Sequence, residues 1–195
     1  SICGGLNINV GPLNSRTIPA MFRAGKKANE LGHHVVLDPV GAGASSLRTK
    51  TAQELVKEVT FTVIRGNISE IKTLAAGQGT TKGVDADVAD RVTEENLADA
   101  VTFVKALAGK LGVILAVTGA IDLVADGESC CIIRNGRPEM GSITGTGCQL
   151  SAMMAAYLVA NPGNALEAAA AAVCAMGVCG ELGWRAMAPG EGNSS

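Results

Sequence analysis

The sequence predicts an α/β fold: a mostly parallel central sheet flanked by helices on both faces. Three observations carry that prediction. Short, continuous apolar runs recur along the chain, as buried parallel strands require. Each run ends in a turn of Gly, Pro or an acid and is followed by a stretch with helical periodicity. Of the 195 residues, 25 are glycine and only 3% are aromatic, while 47% are hydrophobic, so the core must be built from aliphatic side chains joined by many tight turns.

Leu6–Val10 reads as a short buried strand that Gly11-Pro12 ends. Arg16–Leu31 reads as a helix, with Met21, Ala24, Ala28 and Leu31 on one face, Ser15 or Thr17 as its cap and Gly32 closing it. His34–Asp38 is a continuous apolar strand ending in an acid and Pro39. The loop Val40–Ala44 leads to Ser45 and Ser46 as caps of a helix that runs to Glu58. Phe61–Ile64 is the next strand, followed by Arg65-Gly66-Asn67 and a short helix from Ser69. Gly77–Gly83 reads as a mobile loop, and Thr93 as the cap of a helix over Glu94–Lys110. Val113–Val117 is a further buried strand, ending in Thr118-Gly119. Leu123–Ala125 and Cys130–Arg134 read as strands, with Asn135-Gly136 as a hairpin turn. Two Ala-rich helices close the chain, the first over Gln149–Ala160.

Composition narrows the function. The net charge is −2 with no basic run, which argues against nucleic acid and against electrostatic attachment to a membrane. The longest apolar stretch, Ala168–Gly180, lies between Glu167 and Glu181 and reads as a buried helix rather than a membrane span. The six cysteines form no CxxC pair and no zinc-ligand spacing. Most sit in apolar runs, so they are expected to behave as small hydrophobes in a reducing, cytoplasmic compartment. His33 and His34 open a strand at the end away from the expected site and read as structural.

The most informative stretch is Ile143-Thr144-Gly145-Thr146-Gly147-Cys148, which opens directly into an apolar helix. Glycines let the backbone approach a phosphate, and the helix start aims unpaired N–H groups at it. The Gly145, Thr146 and Gly147 amides are the expected anion hole, with the Cys148 thiol on the first turn. The same motif also serves folds that need only a tight corner. Ligands of α/β sheets bind beyond the carboxyl ends of the strands. There the sequence places Gly11, Asp38, Arg65, Asn67 and Thr118. Asp38 suits a divalent cation or caps a turn. Arg65 offers a fork of donors to a phosphate. Asn67 and Glu70 either hold a hydrated Mg²⁺ or start a helix as N-cap and first-turn acid. Thr118 bonds a phosphate or caps its turn.

Together these residues resemble the hydroxyethylthiazole kinases of the ribokinase-like superfamily. The matching stretches are Leu6–Gly11, Val35–Ser45, Ile64–Ile71, Ala116–Gly127 and Ile143–Ala156, in order over nearly the whole chain. The resemblance is specific, because this branch carries Cys, here Cys148, where the superfamily has Asp. It implies a ribokinase-like domain over residues 1–195 that lacks the family's N-terminal segment and final C-terminal helix. It implies Mg-ATP-dependent phosphorylation of 4-methyl-5-(2-hydroxyethyl)thiazole in thiamine biosynthesis or salvage. By the same resemblance Arg65 and Thr118 contact ATP, and Gly145 and Gly11 lie against the thiazole alcohol. Asp38, Asn67 and Glu70 organise Mg²⁺ and phosphate. Cys148 takes the place of the catalytic base. The helix start favours negative charge on that thiol and a γ-phosphate opposes it, so orienting the hydroxyl is the larger part of its expected role. The family is homotrimeric with sites between subunits. The alternatives are a kinase for another small alcohol, such as a hydroxymethylpyrimidine or a sugar, and a non-catalytic nucleotide-binding module.

Overall fold

The computed structural model describes residues 2–77 and 91–188. The loop expected over Gly77–Gly83 falls almost wholly outside them. Six strands form one sheet in the order β1-β2-β3-β4-β5-β6. They are β1 (Gly5–Asn9), β2 (His34–Asp38), β3 (Val63–Gly66), β4 (Ile114–Val117), β5 (Asp122–Ala125) and β6 (Cys130–Ile133). The first four are mutually parallel, and β5 and β6 run antiparallel to their neighbours.

The helices are α1 (Thr17–Glu30), α2 (Ser46–Glu58), α3 (Ile68–Gly77), α4 (Leu97–Leu111), α5 (Thr146–Ala160) and α6 (Ala165–Ala186). The parallel strands always step in one direction, and right-handed crossovers then put the connecting helices on the same face. Accordingly Val35, Leu37, Ile64, Leu115 and Val117 pack with α1–α4 in one core. Their strand neighbours Val36, Val63, Ile114 and Ala116 point the other way, against Leu150, Met154 and Leu158 of α5 and the alanines of α6. Val35–Leu37 of β2, Val63 and Ile64 of β3 and all of β4 are apolar because both faces of these strands are covered. Helix α5 lies over β1 and β2, and α6 over β4, β5 and β6.

Several local expectations shift. Strand β3 begins two residues later than predicted, so Arg65 lies within the strand and not after it. Neither Ser15 nor Thr17 caps α1; Asn14 Oδ1 accepts from the Arg16 and Thr17 N–H groups, an Asx turn that outcompetes the hydroxyls. Thr93 does not cap α4, which starts at Leu97 after Asn96, and the Thr93 N–H itself donates to Asn96 Oδ1. Asn135-Gly136 joins no two strands. The hairpin turn lies earlier, between β5 and β6, where Asp126 Oδ1 accepts from the Glu128 and Ser129 N–H groups. Gly136 instead donates to Glu181 Oε1 of α6 and leads into a short 3-10 turn, Pro138–Ser142.

Helix α6 is also longer and less buried than predicted. Its alanine face, with Val173, packs on the sheet, whereas Val178, Leu182 and Trp184 are exposed. By length and composition it is apolar enough to cross a membrane, and a third of its most apolar window is buried against the rest of the protein. Cys3, Cys174 and Cys179 are exposed rather than in the core.

Candidate functional site

The carboxyl ends of β1–β4 and the start of α5 meet at one rim. Asp38, the last residue of β2, is fully buried, and only groups that satisfy its charge make that tolerable. Asn9, the last residue of β1, donates through Nδ2 to Asp38 Oδ2 at 2.8 Å. Arg65 brings Nη1 to 3.5 Å from Asp38 Oδ1. Arg65 also donates through Nη2 to Thr118 Oγ1 at 2.8 Å, while its Nε is buried with no partner.

The two Nη atoms of the guanidinium press against the start of α5. A Cβ added at Gly147 would stand 2.5 Å from both Nη atoms, so only glycine permits this approach. The preceding Gly145 has φ +94°, in the left-handed region that favours glycine, and turns the chain into the helix. The first bond inside the helix runs from the Gln149 N–H to Gly145 O at 2.9 Å. The amides ahead of it, of Thr146, Gly147 and Cys148, belong to the open first turn. The Thr146 hydroxyl reaches Met140 O and Ile143 O at 3.4 Å, which ties the helix start to the 3-10 turn.

Cys148 does not line the cleft described below. Its sulfur accepts from Asn9 Nδ2 at 3.0 Å. The Gly11 N–H donates to Asn9 Oδ1 at 2.8 Å, and a Cβ at Gly11 would meet that oxygen at 2.8 Å. Asn9 thereby links Gly11, Asp38 and Cys148, three residues the sequence placed at the rim separately. Asn9 itself was missed. Its signal was a second asparagine, after Asn7, within a strand predicted to be buried.

Asn67 and Glu70 form a closed capping box at the start of α3. The Glu70 N–H donates to Asn67 Oδ1 at 2.8 Å, and the Asn67 N–H to Glu70 Oε2 at 2.9 Å. Glu70 Oε1 accepts from the Gly41 N–H at 2.9 Å, which fastens the loop after β2. Of the two possibilities left open for this pair, the helix-start geometry is formed. Asp38, Asn67 and Glu70 still offer only hard oxygens. Among the described residues no three His, Cys, Asp or Glu side chains cluster as a metal cage. Such a donor set fits Mg²⁺ held through water and substrate phosphates, the way this ion usually binds.

Beside Arg65 and Gly147 opens a cleft of about 650 Å³. Thr118, Gly119 and Asp122 form one wall, and Val173, Met176 and Gly177 of α6 form an apolar one. Arg65, Arg91, Arg134 and Arg137 make it predominantly cationic. Arg134 pairs with Glu94 at 2.7 Å and Arg137 with Glu139 at 3.0 Å. Among the described residues Asp122, which opens β5, is the one carboxylate in the lining, and it was also missed. Burial pushes its carboxyl up to about 6, against the opposing pull of the Gly119 N–H and the Arg65 charge.

This geometry has counterparts. The model of the Hydroxyethylthiazole kinase family matches residues 1–193. A curated protein of Clostridium acetobutylicum named hydroxyethylthiazole kinase is 58% identical over all 195 residues, which span 71% of that relative. The chain spans between 64% and 71% of the length of such relatives. The solved hydroxyethylthiazole kinase of Pyrococcus horikoshii OT3 superimposes with a TM-score of 0.81 at 32% identity, covering 97% of this chain and 67% of that one. A ribokinase-like superfamily protein of Enterococcus faecalis V583 shares the fold, with a TM-score of 0.62 at 15% identity over 92% of this chain and 56% of its own.

Proposed function

This chain belongs to the hydroxyethylthiazole kinase family, and we propose that Arg65, Thr118 and the Gly145–Gly147 turn take the phosphates of ATP while Cys148 meets the hydroxyl of the thiazole alcohol. Kinase chemistry and the ribokinase-like fold come with membership. The observation that carries the assignment of roles is the Arg65 guanidinium, clamped between Asp38 and Thr118 and laid against Gly147.

Phosphoryl transfer is mainly positioning and charge neutralisation. Arg65 presents a fixed fork of donors to phosphate oxygens, and the open amides of α5 add dipoles aimed at the same place. The 650 Å³ cleft accommodates a nucleotide, with its base against the apolar wall of α6. Outside that cleft, Cys148 receives the substrate hydroxyl, with Gly145 and Gly11 lining the approach. Asn9 fills one lone pair of the Cys148 sulfur, so the thiol is turned in a defined direction. That arrangement orients the hydroxyl for in-line attack, and a loose transition state lets the proton leave late.

Asp38, Asn67 and Glu70 are the residues that would hold Mg²⁺ through water, where it neutralises charge on the transferring phosphate. The active assembly in this reading is a homotrimer with the thiazole held between subunits. The thiols of Cys130, Cys131, Cys148, Cys174 and Cys179 support a cytoplasmic setting.

The test is Mg-ATP-dependent phosphorylation of 4-methyl-5-(2-hydroxyethyl)thiazole by the full-length protein, followed by mass of the product. A phosphorylated thiazole supports the reading. ATP bound with no product, or turnover of only another alcohol, overturns it.

A further inference from the structure

We propose that Asp122 is a positioning residue for ATP: it holds the Thr118–Gly119 turn, and through Thr118 the Arg65 guanidinium, in the orientation that receives the nucleotide's phosphates. This rests on the reading of Arg65 and Thr118 as ATP contacts.

The connection is a chain of short hydrogen bonds. Asp122 Oδ1 accepts from the Gly119 N–H at 2.8 Å. The adjacent Thr118 N–H donates to Gly66 O of β3 at 2.9 Å. The turn is thus fastened to β3 on one side and to β5 on the other. Thr118 is β-branched and stiff about its first side-chain torsion, so fixing its backbone fixes its hydroxyl. That hydroxyl takes Arg65 Nη2 at 2.8 Å. The other contacts of the guanidinium are weaker guides. Nη1 lies 3.5 Å from Asp38, and Nε has no partner. The orientation of the fork therefore depends on Thr118, and Thr118 on Asp122.

The placement of Asp122 is otherwise unfavourable. It is a half-buried carboxylate in a cleft proposed to take polyphosphate, where it repels the ligand and loses hydration. Among the described residues, the other charged groups around this cleft are Arg65 from β3, Arg91 ahead of α4, Arg134 just after β6 and Arg137 beyond it. Helices α5 and α6 present no charged residue to it. Arg134 and Arg137 have acids of their own, so they need none from Asp122. An acid that costs stability and opposes the ligand is explained by the one oxygen it gives to Gly119. The acceptor and not the charge does the positioning, so an amide at this place substitutes for it.

The test compares Asp122→Ala, Asp122→Asn and Arg65→Ala in the full-length protein, with KM for ATP, KM for the thiazole and kcat measured separately at pH 8. Loss of one such hydrogen bond predicts a rise of about tenfold in KM for ATP in Asp122→Ala, with kcat and the thiazole KM within about twofold of wild type. Asp122→Asn returns KM for ATP to within about threefold. Should Asp122→Ala not fold, Asp122→Ser, which retracts the oxygen, is read in its place. Unchanged KM for ATP in Asp122→Ala while Arg65→Ala raises it overturns the proposal and leaves the ATP reading standing. Equal losses in the Ala and Asn variants, or a fall in kcat with both KM values disturbed, also overturn it. If Arg65→Ala leaves ATP use intact, the ATP reading itself falls and the proposal with it.

Discussion

The side-chain amide of Asn9 donates to the sulfur of Cys148 at 3.0 Å, across 139 positions of sequence. The same nitrogen reaches Asp38 at 2.8 Å, so one amide group ties the thiol to the buried acid. Cys148 is therefore not a lone thiol on a helix start. Its direction is set from β1.

Asn9→Ala removes both bonds and leaves Asp38 short of a donor. The expected result is a fall in kcat of about tenfold to a hundredfold, since losing a partner of a buried polar group costs roughly 1–3 kcal/mol. KM for ATP should stay close to wild type, because Arg65 and Thr118 keep their own bond. Steady-state kinetics with each substrate varied in turn check this. An equal rise in KM for ATP would disconnect Asn9 from the thiol's role.

Cys148→Ala should lower kcat by about a hundredfold or more if the thiol takes part in proton transfer. Cys148→Asp should retain or improve phosphorylation, since a carboxylate serves the same end. Complete loss in a folded Cys148→Asp variant would remove the base role from this position.

Gly147→Ala places a methyl 2.5 Å from both Nη atoms of Arg65. Such overpacking typically costs about 1–3 kcal/mol, and here it displaces the guanidinium. ATP affinity measured calorimetrically should weaken by about tenfold or more, with the thermal midpoint lowered only modestly. An unchanged affinity would mean that the close approach of Arg65 to α5 is not needed for nucleotide binding.

Asp122→Asn should stabilise the protein above pH 6. Burial raises the Asp122 carboxyl from its ordinary 3.8 to about 6, so the folded state binds a proton that the unfolded state has released. Stability from this group is therefore present at low pH and lost as pH rises between those two values. The gap corresponds to on the order of 3 kcal/mol at neutral pH as an upper bound. The variant should match wild type near pH 4 and exceed it at pH 8 in chemical denaturation. A constant difference across that range would assign the effect to something other than ionisation.

Much of the architecture was legible because strands buried on both faces must be continuously apolar. His34–Asp38 and the helix ending at Glu58 emerged with the predicted bounds. Errors gathered where short-range signals compete. Asn14 won the start of α1 over two hydroxyls, and Asn135-Gly136, a frequent hairpin dipeptide, was used to reach α6. The extent of α6 was misjudged because an alanine-rich run carries little periodicity to show which side is buried.

The sequence by itself determined the sheet class and the residue types at the rim: Asp38, Arg65, Thr118, and the Gly145–Cys148 turn. These follow from local rules, since the residue after a buried strand lies at its end whatever the rest of the chain does. Only the tertiary structure decided the pairings. Asn9 was joined to Cys148 and to Asp38, and Arg65 to Thr118. Those contacts depend on which strands become neighbours and on α5 crossing over β1 and β2. Strand order and helix docking are set by burying apolar surface across the whole chain, which no single stretch of sequence specifies.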